Sequence, residues 1–99
     1  MEDDFCKKDY LLHKCNNLAL CYKTFIGKEP KETDLEICAI TDEGLRYTVA
    51  SFNYDKRERC YELDSCGERL AHNDIDWEDF GFLVRLGFKH IAQHCKNDA

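Results

Sequence analysis

The sequence predicts an α+β domain: a two-layer sandwich in which an N-terminal and a C-terminal helix pack on one face of a three- to four-stranded antiparallel meander. Three observations point there. Apolar residues recur with helical spacing near both ends of the chain. The middle is dense in β-branched and aromatic residues, punctuated by turns that carry Asp and Gly. Ninety-nine residues leave room for one hydrophobic core, so residues 1–99 read as a single domain. At 43% hydrophobic and 12% aromatic, the chain buries that core without staples.

Residues 5–26 carry the first helical pattern. Leu11, Cys15, Leu18, Tyr22 and Phe25 recur at steps of four, three, four and three, and Leu12, Ala19 and Ile26 widen the stripe. Gly27 stands where a left-handed C-terminal cap belongs, with Pro30 just beyond.

The meander follows. Residues 35–40 alternate Leu35, Ile37 and Ala39 against Glu36, Cys38 and Ile40. Thr41, Asp42, Glu43 and Gly44 then make a turn into a second strand over residues 45–54. Asp55, Lys56, Arg57 and Glu58 connect to a third strand over 59–63. Asp64, Ser65, Cys66 and Gly67 repeat the earlier turn chemistry, which would make residues 68–71 a short fourth strand. By strict alternation Tyr47 and Val49 face one way while Phe52 and Tyr54 face the other; a bulge would instead turn the aromatics inward.

A second helix is expected over about 76–95. Asp76 is the N-cap, Asp79 stands at the capping-box position, and Ile75 and Phe80 have the spacing of a hydrophobic staple. Trp77, Phe80, Val84, Phe88, Ile91 and Cys95 form its buried stripe, and Gly81 and Gly87 would let a neighbouring element approach closely.

Seven cysteines, at positions 6, 15, 21, 38, 60, 66 and 95, contain no CxxC and show no ligand or disulfide framework. The odd count and an N-terminus of Met1, Glu2, Asp3 and Asp4, unlike an export signal, suit a reducing compartment and a cytoplasmic location. Most of the thiols fall on helical stripes or strands, where they pack as small hydrophobes. No apolar stretch approaches the roughly 20 residues that a membrane helix needs, so no membrane partner is expected.

Charge bears on partners. The net charge is −6, and residues 29–43 hold six acids against Lys31 alone. Such a surface repels phosphate backbones, which argues against direct nucleic-acid binding and permits steering toward a basic protein. Asp74, Asp76, Glu78 and Asp79 concentrate this charge. Their plainest role is to cap a helix; a sharper one is to imitate a row of phosphates before a nucleic-acid-binding protein. They lack the Gly and terminal Glu of a calcium-binding EF-hand loop.

Other constellations are weaker. His90 and His94 stand one helical turn apart and could grip zinc, but Cys95 is rotated about 100° from His94 on the same helix. A third ligand would have to come from elsewhere, such as Cys6 or His13. Cys60 and Cys66 are six residues apart, a poor match to zinc-knuckle spacing. Cys66 with His72 would make a nucleophile and base, without an identifiable orienting residue or oxyanion loop. Glu29, Pro30 and Lys31 mimic a nuclease motif only formally, since the proline marks a loop. Phosphate-cradling loops, nucleophile elbows and dinucleotide fingerprints are lacking.

The reading that results is a non-enzymatic interaction module, an inhibitor or regulator of another macromolecule, without a cofactor. Its partner-binding residues are expected to be Asp74, Asp76, Glu78 and Asp79 with Phe52, Tyr54 and Tyr61 of the sheet. The size and charge suit a host-directed protein of viral or mobile-element origin, and a homodimer is compatible with the same surface. The alternatives are a zinc-binding regulator using His90, His94 and cysteines, and a small thiol enzyme using Cys66.

Overall fold

The computed structural model describes residues 11–23, 31–72 and 75–95. β1 (Leu11–Cys15) and β2 (Leu18–Tyr22) form an antiparallel hairpin in which Cys15 stands opposite Leu18. Asn16 and Asn17 make the turn, and Asn16 takes a φ of 55°. Asparagine enters that left-handed region more readily than most residues, and two-residue hairpin loops demand it.

The predicted sandwich with an N-terminal helix is therefore overturned. The described part of residues 5–26 is two strands, and Phe25, Ile26, Gly27 and Pro30 lie outside the described residues. The physical reason is the placement of β2. It lies between β1 and β3 with Leu18, Ala19, Leu20 and Cys21 all buried, so both of its faces are apolar. Alternation disappears from such a strand, and a continuous apolar run is easily read as a helix.

β3 (Leu35–Ile40), β4 (Arg46–Asp55) and β5 (Cys60–Ser65) complete a five-stranded antiparallel sheet in the order β1-β2-β3-β4-β5. The first Gly turn forms as its sequence suggests. Gly44, at a φ of 86°, donates to the Thr41 carbonyl at 2.9 Å, and the Leu45 amide donates to Thr41 Oγ1 at 3.1 Å. At the next connection Asp55 Oδ1 accepts from the Arg57 amide at 2.8 Å.

The second Asp- and Gly-bearing segment behaves differently. Asp64 and Ser65 finish β5, and Gly67 opens α1 (Gly67–His72) in place of the expected fourth strand. The Cys66 amide donates to the Val49 carbonyl at 2.8 Å while its own carbonyl accepts from Leu70 at 2.9 Å, so this residue closes the sheet and starts the helix at once. Leu70 is buried, and α1 packs on β4.

α2 (Trp77–Cys95) lies across β1, β2 and β3. Asp76 caps it, accepting from the Glu78 amide at 2.9 Å and the Asp79 amide at 3.3 Å, and Ile75 and Phe80 are both buried. The buried stripe is Phe80, Leu83, Gly87 and Ile91. Trp77, expected on that stripe, is 63% exposed instead. Gly87 is required by the sheet: a Cβ there would collide with the tip of the Phe52 ring. Phe52 in turn packs edge-on against Phe88, with centroids 5.0 Å apart.

A register shift opposite Ile37 and Cys38 decides which way β4 faces. Ile37 pairs with Ala50 and Cys38 with Thr48, leaving Val49 as the extra residue of a bulge. The bulge brings Tyr47, on the N-terminal side, and Phe52, on the C-terminal side, to the same face. Phe52 thus joins Leu18, Leu20, Leu35, Ile37 and Leu83 in the core beneath α2. Ala19, Cys21 and Cys38 form a smaller buried cluster on the opposite face. Among the described residues no helix is long and apolar enough to cross a membrane.

Candidate functional site

The residues expected to bind a partner are dispersed by the fold. Asp74 lies outside the described residues. Asp76 is occupied as the cap of α2, and Asp79 Oδ2 accepts from Asn16 Nδ2 at 2.7 Å, tying the start of α2 to the β1–β2 turn. Among the described residues, the Glu78 carboxylate makes no hydrogen bond or ion pair. Beside it stands Trp77, which touches Phe80 edge-on at 5.6 Å between centroids. The start of α2 therefore presents an indole flanked by two exposed acids, Asp76 and Glu78.

The sheet aromatics separate as well. Phe52 is 1% exposed and has no surface to offer. Tyr54 and Tyr61 face each other across β4 and β5 with rings 5.2 Å apart, Tyr54 exposed and Tyr61 half-buried. They stand on the helix side of the sheet, in register with Phe52 and Leu63.

At the other end of α2 the fold assembles what the sequence only hinted at. His90 and His94 project one helical turn apart, with ring centroids separated by 4.4 Å. Glu32, in the segment leading into β3, places Oε1 3.1 Å from His90 Nε2 and 3.6 Å from His94 Nε2. Tyr22, the last residue of β2, donates its hydroxyl to the same Oε1 at 2.5 Å and lies 3.4 Å from His90 Nε2. Burial first, and then the Glu32 hydrogen bond, push the Tyr22 phenol up to about 12. The Tyr22 hydroxyl is the largest influence holding the Glu32 carboxyl below its ordinary value, with His90 and His94 adding to it.

Among the described residues, the third group that the fold brings to the histidine pair is Glu32, not His13. Cys6 lies outside the described residues, and His13 packs its ring on Phe82 at 5.3 Å. Cys95 is half-buried and packs against the core, as its rotation from His94 implies. Glu32 was beyond the reach of local reasoning, being 58 residues from His90. The only signal in the sequence was the histidine pair at one-turn spacing. His90 also borders a groove of about 370 Å³ between β1 and α2, floored by Leu12, Leu20 and Leu86.

Among the described residues, the two exposed thiols stand apart. Cys60 and Cys66 are exposed at opposite ends of β5, roughly 20 Å apart by strand rise, so that pair does not meet. The His72 side chain lies outside what the structure describes. Cys21 and Cys38 do meet, buried on the sheet face away from α2, where Arg46 Nη2 donates to Cys38 Sγ at 3.7 Å. The hydrogen bond to Cys38, and then burial, push the Cys21 thiol up and keep it protonated. Cys21 pairs with Glu36 and Cys38 with Ala19, which makes the two cysteines diagonal neighbours. Such positions are roughly 7–8 Å apart at Cα, too far for a disulfide without backbone movement. They are packed thiols.

No protein-family model, curated protein or solved structure matches this chain, so its chemistry has to be read from its own residues.

Proposed function

We propose that the protein is a non-enzymatic interaction module that inhibits or regulates a partner protein through the exposed start of α2. The observation that carries this reading is Trp77, 63% exposed between Asp76 and Glu78. Tryptophan is largely buried on average and is the residue most enriched at interface hot spots, where it supplies a large rigid apolar surface. Acids around it favour a partner with a basic rim, because complementary charge steers the encounter and fixes its register. A nucleic-acid-binding protein offers such a rim. The Tyr54 and Tyr61 pair is a second aromatic surface of the same kind.

Imitation of a phosphate row receives less support than the sequence suggested, since Asp76 and Asp79 are engaged in capping and in the bond to Asn16. The exposed thiols Cys60 and Cys66 suit a reducing compartment, and on that ground we place the module in the cytoplasm.

Paired affinity capture from the native host tests the reading. Wild type, Trp77→Ala and Glu78→Lys serve as baits. Both substitutions spare Asp76 and Asp79, so the cap of α2 remains. A partner held by wild type, lost from Trp77→Ala and weakened by Glu78→Lys is the expected outcome. A partner retained equally by all three baits would remove this surface from consideration.

A further inference from the structure

We propose that Glu32, His90 and His94 form a binding site for a single divalent transition-metal ion of the zinc class. The three donor atoms come from two segments far apart in sequence and lie within 4.8 Å of one another. Nitrogen and oxygen ligands sit about 2.0–2.1 Å from zinc, so a tetrahedral site spaces its donors roughly 3.3 Å apart. The separations of 3.1 Å and 3.6 Å from Glu32 Oε1 to the two imidazole nitrogens bracket that value. Both histidines turn Nε2 toward the Glu32 carboxylate, so each has a ring nitrogen placed to ligate.

Hydrogen bonding alone does not account for His94. Tyr22 Oη at 2.5 Å and His90 Nε2 at 3.1 Å occupy the two lone pairs of Glu32 Oε1, whereas His94 Nε2, at 3.6 Å, faces the same oxygen from beyond hydrogen-bond reach. A cation between the carboxylate and the imidazoles engages both rings. Each imidazole then directs its nitrogen lone pair at the ion, and Oε1 gives one lone pair to the ion and the other to the Tyr22 hydroxyl. Tyr22 is in this arrangement a positioning residue that orients the carboxylate.

The donor set selects the class of ion. Two imidazoles and one carboxylate suit zinc and its neighbours cobalt, nickel and copper, whereas calcium and magnesium prefer all-oxygen shells. Three protein ligands leave a fourth position for water. Bound metal would fasten residues 31–34 to the C-terminal half of α2 and stabilise the folded chain by mass action. This inference is independent of the partner surface, which lies at the opposite end of the helix.

The test is calorimetric titration of zinc into the reduced, metal-stripped full chain, with cobalt as a spectroscopic probe. Wild type should bind one equivalent. The first equivalent of cobalt should give a ligand-field spectrum of nitrogen and oxygen donors, without thiolate-to-cobalt charge transfer. His90→Gln, His94→Gln and Glu32→Gln should each weaken zinc at least about tenfold, while Cys95→Ser, next to His94, leaves affinity unchanged. Thermal unfolding of the metal-free variants shows that each is folded, and the cobalt spectrum needs no variant. No saturable binding by wild type, undiminished affinity in His94→Gln, or a thiolate band at the first equivalent would overturn the proposal.

Discussion

The two ends of α2 carry the chain's two most suggestive clusters, and they differ in what the fold leaves over. At the N-terminal end the acids are mostly engaged in structure: Asp76 caps the helix and Asp79 holds the β1–β2 turn through Asn16. What remains is a surface, Trp77 with Glu78. At the C-terminal end what remains is chemical, because two imidazole nitrogens face one Glu32 oxygen at 3.1 Å and 3.6 Å, and that oxygen also accepts from Tyr22. A cluster conspicuous along the chain can thus be largely local structure. A cluster with unexplained chemistry is assembled from residues that the sequence keeps apart.

Gly87 lies between these ends and supports both, so its replacement should have the largest effect on stability. Gly87→Ala drives a Cβ into the Phe52 ring, and such overpacking typically costs about 1–3 kcal/mol. Denaturant unfolding should show that loss, and a neutral result would mean that Phe52 is not held against the helix. Asp76→Ala comes next. Loss of the cap costs about 1 kcal/mol and should leave zinc affinity at His90 and His94 unchanged; a coupled loss of zinc binding would show that the two ends are not independent. Gly81→Ala has the smallest effect and the opposite sign. An added Cβ meets only Arg85 Nη1, at 3.8 Å, so better helix propensity should stabilise the fold by up to about 1 kcal/mol. Destabilisation would place an unseen neighbour against that helix face.

The parts of the fold legible in the sequence are those that local rules govern. The Asp76 cap, the Ile75 and Phe80 staple, the Gly44 turn and the alternation of β3 each express short-range chemistry. The first hairpin was illegible for two physical reasons. β2 is buried on both faces, which erases its alternation, and its turn uses Asn16 and Asn17 without a glycine to announce it. α1 spans only six residues, too few for periodicity to separate it from a strand. Strict alternation exposed Phe52, and one extra residue, Val49, turned it inward, while Tyr54 on the same face stays exposed. At the candidate metal site the histidine pair was visible, but Glu32 and Tyr22 reach it only through the sheet.

The most direct test of the division between the two ends is an amide and indole ¹H–¹⁵N spectrum recorded while one equivalent of zinc is added to the reduced full chain. Resonances of Tyr22, Glu32, His90 and His94 should shift or broaden together, while the Trp77 indole and the Asp76 and Glu78 amides stay in place. Shifts centred on the acidic start of α2 or on the cysteines, with the histidine end unmoved, would contradict this account.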